Sequence, residues 1–419
     1  MPLRILIYGI NFAPELTGIG KYTGEMAAWL ASRGHSVRVV TAPPYYPAWR
    51  VGDGYRAWHY TRVTWQGVDV WRTPLWVPRQ PGGLKRLLHL ASFALASLPA
   101  LTAQWRWRPH LVWTVEPALL CAPAAALLAG ATGARAWLHV QDFEVDAAFD
   151  LGLLKGAWLR RRVAALEAGL MRRFDRVSTI SGRMLARGQA KGVAARQLVS
   201  FPNWVDISTI RPLARPSTYR AELGIAADTV VALYSGNMGG KQGLEILAEA
   251  AARLQAEPGI LFVLCGNGAG REALVRRCAH LANVRFLELQ PLDRLGDLLG
   301  LADIHLLPQR ADAADLVMPS KLTGMLASGR CVVATAHRET ELGQVVTAHC
   351  GVVSPPEDGA AFAQAILALA LDPARRAAFG TTARAYAEAE LDRESVLLRF
   401  ESAAIALVQE NAPAVRAVA

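Results

Sequence analysis

Apolar runs of strand length alternate with helical patterns along most of the chain. The first run begins at Arg4 and reads RILIYGI, and a loop to Gly20 follows it. Apolar side chains then recur at helical spacing, as at Tyr22 and Met26, before a second apolar run begins at Ser36. A strand–helix–strand order of this kind predicts a parallel sheet with helices packed on its faces.

The same alternation fills both halves of the chain. Further apolar runs begin at Leu111 and Ala134 in the first half, and at Val230, Ile260 and Asp303 in the second. A chain of 419 residues is too long for one small core. We therefore expect two α/β domains, with their junction in the segment FPNWVD.

A glycine-rich loop, SGNMGG, ends the apolar run that begins at Val230. Lys241 comes directly after it, at the start of a helix predicted from Gln242 to Leu254. The backbone N–H groups of such a loop, the positive end of a helix and a lysine together suit a diphosphate. The alternative is an ordinary turn between a strand and a helix, in which glycine is common.

Polar residues gather at the end of the apolar run that begins at Ala134. His139 lies near that end, and Asp142, Glu144 and Asp146 follow. Because ligands of open α/β sheets bind at the carboxyl ends of strands, these residues are candidates for a site. The alternative is a polar loop whose acids cap a helix.

The first loop does not have the spacing of a dinucleotide-binding enzyme. Gly18, Gly20 and Gly24 form G-x-G-x-x-x-G, whereas the fingerprint is G-x-G-x-x-G. The second strand ends in TAPP, without the acid that would bind a ribose hydroxyl. An NAD(P) enzyme is therefore not expected, although this loop can close over a phosphate or a sugar.

The net charge of +10 is concentrated in two segments. Eleven lysines and arginines stand against two acids in 155–196, and five basic residues occur in 79–110 without an acid. Such segments are either solvated helix faces or surfaces for anionic lipid or a phosphate-bearing acceptor. Nucleic acid is not expected as a partner, since no motif for it is found.

Leu84 to Trp107 is the most apolar long segment. Its apolar middle is close to the ~20 residues that span a bilayer, but His89 and Pro99 interrupt it. We expect a helix of the first domain that lies on a membrane surface, with a true span as the alternative.

The cysteines and histidines do not suggest a metal centre. Five cysteines lack a CxxC pair, and nine histidines form no ligand cluster, so we expect reduced, buried cysteines and no metal. A strand begins almost at the first residue, so we expect no signal peptide and a cytoplasmic protein.

Three segments in this order resemble the retaining nucleotide-sugar glycosyltransferases of the GT-B fold, family 4. YGINFAPELTGIGKYTGEMAAWLASRGHSVRVVTAPPYYPAWRV resembles the N-terminal signature of exopolysaccharide transferases grouped with colanic acid biosynthesis, the fucosyltransferase type included. YSGNMGGKQGLEIL is similar to the donor-phosphate loop of the family, and MPSKLTGMLASGRCVVAT to its donor-binding helix.

The resemblance implies a fold class and a domain organisation. The fold would be α/β, with two Rossmann-like domains facing across a cleft. An acceptor-side domain would cover 1–205 and a nucleotide-sugar donor domain 206–385. A C-terminal helix in 386–419 would pack back toward the first domain.

The resemblance also implies the site residues. Asp142, His139 and Lys241 would be catalytic. The donor would be bound by glycines, polar residues and backbone N–H groups at Gly18, Gly20, Gly236, Asn237, Lys241, Pro319, Ser320, Lys321 and Leu322. No metal and no further cofactor would be needed, because the lysines and the backbone would stabilise the diphosphate leaving group.

The chain departs from the family pattern at three points. Asn237 and Met238 occupy the region where the family usually carries an arginine. The two glutamates of its E-x7-E pattern fall at Leu316 and Gly324. The usual His-Asp pair at the strand end reads Gln141-Asp142.

The implied function is transfer of a sugar, with GDP-fucose favoured as the donor, to a lipid-linked oligosaccharide in colanic-acid-type exopolysaccharide synthesis. The protein would work in the cytoplasm, at the inner face of the plasma membrane and in contact with its anionic surface. The alternatives are a nucleotide-sugar epimerase on the same fold and a non-catalytic membrane-surface binding protein.

Overall fold

The computed structural model describes most of the chain. The described residues are 1–16, 18–80, 82–116, 119–143, 145–146, 149, 156–239, 242–310 and 319–410. Lys241, Glu144 and Leu316, which the sequence analysis named, lie outside them.

The chain divides into two compact units. The first unit is Met1–Pro202 together with the segment from Leu397, and the second unit is Asn203–Val396. The chain thus leaves the first unit near the FPNWVD segment and returns to it within its last helix.

The first unit is built on one sheet. Its strands are β1 Arg4–Tyr8, β2 Ser36–Thr41, β3 Thr61–Trp65, β4 Val68–Arg72, β5 Leu111–Glu116, β6 Arg135–Val140, β7 Arg176–Thr179 and β8 Leu198–Ser200. Their order is β3-β4-β2-β1-β5-β6-β7-β8, and only the β3–β4 pair is antiparallel within the described residues. The predicted parallel sheet is confirmed.

Helices cover this sheet, which explains why its central strands are continuously apolar. They are α1 Gly18–Ser32, α2 Gly83–Ala96, Leu98–Thr102, Ala122–Thr132, Ala157–Met171 and Gly182–Ala190. Ile7 of β1 lies between Val39 of β2 and Trp113 of β5, and all three side chains are buried. A strand buried on both faces needs no alternation of polar residues.

The second unit repeats this plan with a fully parallel sheet. Its strands are β9 Val230–Ser235, β10 Ile260–Cys265, β11 Val284–Leu287, β12 Ile304–Leu307, β13 Cys331–Thr335 and β14 Gly351–Ser354. Their order is β11-β10-β9-β12-β13-β14. The longer helices are Glu245–Arg253, Arg271–Cys278, Gly359–Ala370 and Pro373–Tyr386; shorter ones are Thr218–Glu222, Leu295–Leu301, Lys321–Ala327 and Glu341–Val345.

The helix after the glycine-rich loop begins later than predicted. It runs from Glu245 to Arg253, instead of starting at Gln242. Gly243 has a φ of +59°, which is incompatible with an α-helix, so the loop extends past this residue.

The last helix, Arg393–Gln409, packs on the first unit through the residues that belong to it. The Phe400 ring lies 5.0 Å from the rings of both Trp137 and Phe201. Glu401 accepts from Arg33 at 3.1 Å and lies 2.8 Å from His35 Nε2. An aromatic contact and a pair of charged contacts therefore hold this end of the chain to the sheet.

Candidate active site

In each sheet one strand marks the point where the strand order reverses, and its carboxyl end opens a crevice. In the first unit this strand is β1, which lies between β2 and β5, and in the second it is β9, which lies between β10 and β12. Ligands of open α/β sheets bind beside such a strand. The loop after β1 in the first unit and the loop after β9 in the second are therefore each a candidate for ligand binding.

Glu15 organises the loop after β1. One of its carboxylate oxygens accepts the backbone N–H groups of Tyr45 and Tyr46, each at 3.0 Å, and the other accepts from Asn11 Nδ2 at 3.0 Å. Burial raises the pKa of Glu15, while these donors and the charge of Arg72 act in the opposite direction. This carboxylate joins two loops that are 30 residues apart in the sequence.

Arg72 holds the same two loops from the end of β4. Its guanidinium donates to the carbonyl oxygens of Ala42 at 2.7 Å and Ala13 at 2.5 Å, and lies 4.9 Å from the Tyr55 ring centroid. Burial lowers the pKa of Arg72. Sequence reasoning missed Glu15 and Arg72, because no local pattern connects them to their partners.

The structure gives a packing reason for one of the predicted donor-binding glycines. A Cβ atom at Gly20 would overlap the Glu15 carboxylate, so no other residue fits there without displacing it. At Gly18 the same atom would lie 3.7 Å from Cε1 of Tyr46. Both glycines lie at the opening of α1, beside the loop after β1, and their donor contacts stay a prediction.

His139 lies in β6, one residue before the end of this strand, and only 2% of its surface is exposed. The Gln141 amide donates to its Nε2 at 3.0 Å, so Nδ1 carries the proton and donates to Ser178 Oγ at 2.8 Å. The imidazole stacks on Trp113, and burial lowers its pKa to about 3. His139 is therefore enclosed by its neighbours, and its predicted catalytic role remains untested.

The carboxylates after β6 have different environments. Asp142 is half-buried. Burial raises the pKa of Tyr46, and the charge of Asp142 raises it further, so the two side chains lie within electrostatic reach. Asp146 instead pairs with Arg187 at 2.7 Å and Lys191 at 2.9 Å. Asp142 thus stays the candidate for contact with a reacting group, whereas Asp146 belongs to an ion-pair network.

In the second unit two glycine-rich loops support one another. The N–H of Gly236 donates to the Cys265 carbonyl at 3.0 Å, and the N–H of Met238 donates to the Asn267 carbonyl at 2.9 Å. A Cβ atom at Gly266 would overlap the carbonyl oxygen of Gly236. The GNGAG segment after β10 is therefore a support for the loop after β9, a role that the sequence did not indicate.

Lys321 is the cation that the structure places against the loop after β9. Its Nζ donates to the Tyr234 hydroxyl at 3.1 Å, and a Cβ atom at Gly236 would lie 3.1 Å from it. The Tyr234 hydroxyl in turn donates to the Asn237 carbonyl at 2.7 Å. Burial lowers the pKa of Lys321 to about 8. The predicted residues Gly236, Asn237 and Lys321 thus lie together.

The structure gives the surroundings of the other predicted residues near Lys321, whose donor contacts stay a prediction. Pro319 is buried, Ser320 is exposed, and Leu322 packs into the core. The N–H of Leu322 donates to the Pro319 carbonyl at 3.0 Å, so this amide already has an acceptor. At Gly324, where the family pattern places a glutamate, a Cβ atom would lie 3.1 Å from Leu299.

The described residues contain no group of three or more histidines, cysteines, aspartates or glutamates that could hold a metal ion. The five cysteines are buried and unpaired with each other.

Comparisons with known proteins show which protein family the chain belongs to. Residues 17–204 match the family described as "Glycosyl transferase 4-like domain", and residues 217–386 match "Glycosyl transferases group 1". Among solved structures, sucrose-phosphate synthase from Thermosynechococcus elongatus superimposes with a TM-score of 0.75 at 18% identity, over 97% of this chain and 99% of that one. HepE of Anabaena, in complex with UDP and glucose, has a TM-score of 0.67 at 16% identity, over 96% and 99%.

The chain is a glycosyltransferase of the GT-B fold and belongs to the family that these two domains define. It is 47% identical to WcaI of Escherichia coli (strain K12), over 95% of this chain and 98% of the relative. WcaI is provisionally assigned as a colanic acid biosynthesis glycosyl transferase. A D-inositol 3-phosphate glycosyltransferase of Nocardia farcinica is 25% identical, over 83% and 79%.

Proposed function

We propose that this enzyme transfers a sugar, with retention of anomeric configuration, from a nucleotide-sugar donor to a lipid-linked oligosaccharide. The pathway would be exopolysaccharide synthesis of the colanic acid type, and GDP-fucose is the first candidate donor. The identity to WcaI along nearly the whole chain supports the pathway. Family membership favours transfer over the epimerase and the non-catalytic binding protein.

One observation carries the chemical part of this proposal: a half-buried lysine, Lys321, lies against the glycine-rich turn after β9. Transfer requires that negative charge be stabilised as the nucleoside diphosphate leaves. Lys321 beside Gly236 suits that charge, because an ammonium group in a partly water-excluded place acts more strongly than in solvent. Lys241, from the same loop, would add a second charge.

The remaining roles follow from the chemistry of retention. Asp142 would contact the reacting sugar or the acceptor hydroxyl at the end of β6. Two lysines would neutralise the leaving group, so the proposal includes no metal. Exclusion of water around the donor would limit hydrolysis of the activated sugar.

A donor panel tests the proposal. The purified protein is incubated with GDP-fucose, other GDP-sugars and UDP-sugars, together with lipid-diphosphate-linked saccharides and a chelator. We expect one donor to give a lengthened saccharide whose new linkage keeps the anomeric configuration of the donor, as read by NMR. Inversion at the anomeric carbon, or no transfer from any donor, would contradict it.

The proposal also includes a membrane-surface location, which rests on the face of α2. Within the described residues, Gly83–Trp107 is one helical stretch long and apolar enough to cross a membrane, with a mean hydropathy of 1.3 in its most apolar window and 39% of that window buried. Its inward side holds His89, which contacts the Trp76 carbonyl at 2.7 Å, and Phe93. A helix anchored to its own sheet in this way is better suited to lie on a bilayer than to span it.

The outward side of this stretch carries large exposed apolar residues, and all of its charged residues are basic. The exposed large apolar residues are Leu84, Leu87, Leu88, Leu95, Leu98 and Trp105. Lys85, Arg86, Arg106 and Arg108 accompany them, and no acid occurs between Asp69 and Glu116. Leucines enter the boundary of the acyl chains while basic side chains attract anionic lipid, so this surface fits the inner face of the plasma membrane.

A further inference from the structure

Tyr46 is an exposed aromatic residue at the carboxyl edge of the sheet in the first unit. Its side chain is 40% exposed, whereas the adjacent Tyr45 is buried. The Tyr45 ring packs edge-on against His89 at 4.7 Å and Trp49 at 5.6 Å. The Tyr46 side chain is therefore accessible to a ligand, whereas the Tyr45 ring is enclosed.

The backbone of Tyr46 is held by a buried carboxylate. Glu15 accepts the N–H groups of both tyrosines, and its other oxygen is bonded to Asn11. Hydrogen bonds to a charged acceptor are stronger than neutral ones, and a buried carboxylate that lost them would be destabilised. Glu15 therefore fixes the backbone position of Tyr46, although the exposed ring of Tyr46 contributes little to the core.

The surroundings of the Tyr46 ring are those of a binding site. Its Cε1 atom lies 3.7 Å from the position of a Cβ atom at Gly18, so the ring stands over the opening turn of α1. Asp142, the candidate for contact with a reacting group, lies within electrostatic reach of its hydroxyl. An aromatic face beside a carboxylate offers the two kinds of contact that a sugar uses, namely packing of its C–H face and hydrogen bonds to its hydroxyls.

We propose that Tyr46 contacts the acceptor saccharide, stacking against a pyranose ring, and that Glu15 is the positioning residue that holds it there. This inference rests on the proposed function and names a residue that determines acceptor binding. It places Tyr46 with the acceptor because Tyr46 and Asp142 both belong to the first unit, which the family resemblance makes the acceptor side.

Kinetics of Tyr46 variants test the inference. With the active donor and a lipid-diphosphate-linked saccharide in detergent, Tyr46→Leu should raise the acceptor KM about tenfold, the scale of one lost aromatic contact. The donor KM, and the slow hydrolysis of the donor without acceptor, should not change. Tyr46→Phe should resemble the wild type, since it keeps the ring. Tyr60→Leu is the matched control, because Tyr60 is another exposed tyrosine of the first unit.

Glu15→Ala tests the positioning role. Alanine has no side-chain acceptor for the N–H groups of Tyr45 and Tyr46, so the acceptor KM should rise about tenfold while the donor KM stays constant. A variant that had merely lost part of its folded population would lower the apparent kcat and leave both KM values unchanged. The melting temperature is measured for each variant to separate the two cases.

Two results would overturn the inference: an unchanged acceptor KM in Tyr46→Leu, or an equal rise of both KM values. Calorimetric titration with the acceptor saccharide gives an answer that does not need turnover. If the wild type transfers no sugar, the proposed function fails, while weaker acceptor binding by Tyr46→Leu than by the wild type would still support the role of Tyr46, and equal binding would exclude it.

Discussion

Lys321 Nζ lies 3.1 Å from the hydroxyl of Tyr234 and 4.5 Å from the centroid of its ring. The two residues are 87 positions apart, one at the start of the helix Lys321–Ala327 and the other in β9. The phenol oxygen accepts one proton of the ammonium group and donates its own to the loop carbonyl of Asn237. The lysine is thereby held beside the loop where the diphosphate of a donor is expected.

Lys321→Met should remove one positive charge from the transition state for departure of the diphosphate. We expect a loss of about two orders of magnitude in kcat, the scale of a lost oxyanion donor. Steady-state kinetics with the active donor check this, with Arg276→Met as the control because Arg276 is an exposed cation of the second unit outside the predicted site. A kcat within a factor of about two of the wild type would remove Lys321 from the mechanism.

The pH dependence of nucleotide binding should report the same lysine. Its pKa is lowered to about 8, so it is charged below this pH and neutral above it. Affinity for a nucleoside diphosphate should therefore fall as the pH rises from 7 to about 9. Calorimetric titration with GDP and UDP measures it. Lys321→Arg should abolish this fall, since arginine stays charged, and a fall that persists in this variant would assign it to another group.

The contribution of Lys321 to the stability of the ligand-free protein should increase with pH, whereas the affinity for nucleotide should fall. Between the lowered pKa of about 8 and the ordinary lysine value, the unfolded chain binds more protons at this residue than the folded one. The contribution of Lys321 to the free energy of unfolding should thus increase with pH in that window. Denaturant unfolding of the wild type and of Lys321→Met at several pH values compares the slopes. Equal slopes would contradict the prediction.

Lys241→Ala should lower the rate by roughly two to three orders of magnitude if its charge acts on the leaving group. Lys241 lies outside the described residues, so this prediction rests on its place in the sequence. Kinetics with the active donor decide it, and an unchanged rate would leave Lys321 as the candidate cation.

Replacement of Leu84, Leu87 and Leu88 by serine should weaken binding to vesicles, because these leucines form the exposed face of α2.

Neutralising Arg160, Arg161 and Arg162 should weaken binding to anionic vesicles by about 1 kcal/mol per charge near the surface. Cosedimentation with anionic and neutral vesicles at several salt concentrations measures both effects.

Leu127→Ser is the matched control for the leucine variant, since Leu127 is 72% exposed on another helix of the first unit. Binding that is insensitive to salt would contradict the role of the arginines. Equal loss in the control and in the triple variant would contradict the role of α2.

Phe400→Ala should destabilise the first unit by about 3–5 kcal/mol, because it leaves a cavity between two aromatic rings. Leu398→Ala on the same helix should have a much smaller effect, since Leu398 is 37% exposed. Chemical unfolding followed by tryptophan fluorescence compares them. A similar midpoint for both variants would show that the last helix contributes little to this unit.

Much of the architecture could be predicted from the sequence. Runs such as those at β1 and β9 report burial directly, since a strand covered on both faces is continuously apolar. The strand–helix order implies parallel pairing, and the glycine-rich composition of SGNMGG predicts a phosphate-binding loop, a role that stays a prediction. These features are local, so a short stretch of the sequence is enough to predict each of them. Lys321 was named for a similar reason, as part of a segment with a recognisable composition.

Only the tertiary structure decided which of the polar residues reach a crevice and which serve the fold. Glu15 contacts backbone groups 30 residues away, and Gly266 makes room for a carbonyl of Gly236 in another loop. His139 was predicted at a site, yet it lies enclosed among aromatic side chains, one of them the Phe201 ring at 5.1 Å. Such contacts form between segments that are distant in the sequence. Because these tertiary contacts set the burial and the hydrogen bonds of a side chain, its pKa and its access to a ligand cannot be predicted from the neighbouring residues alone.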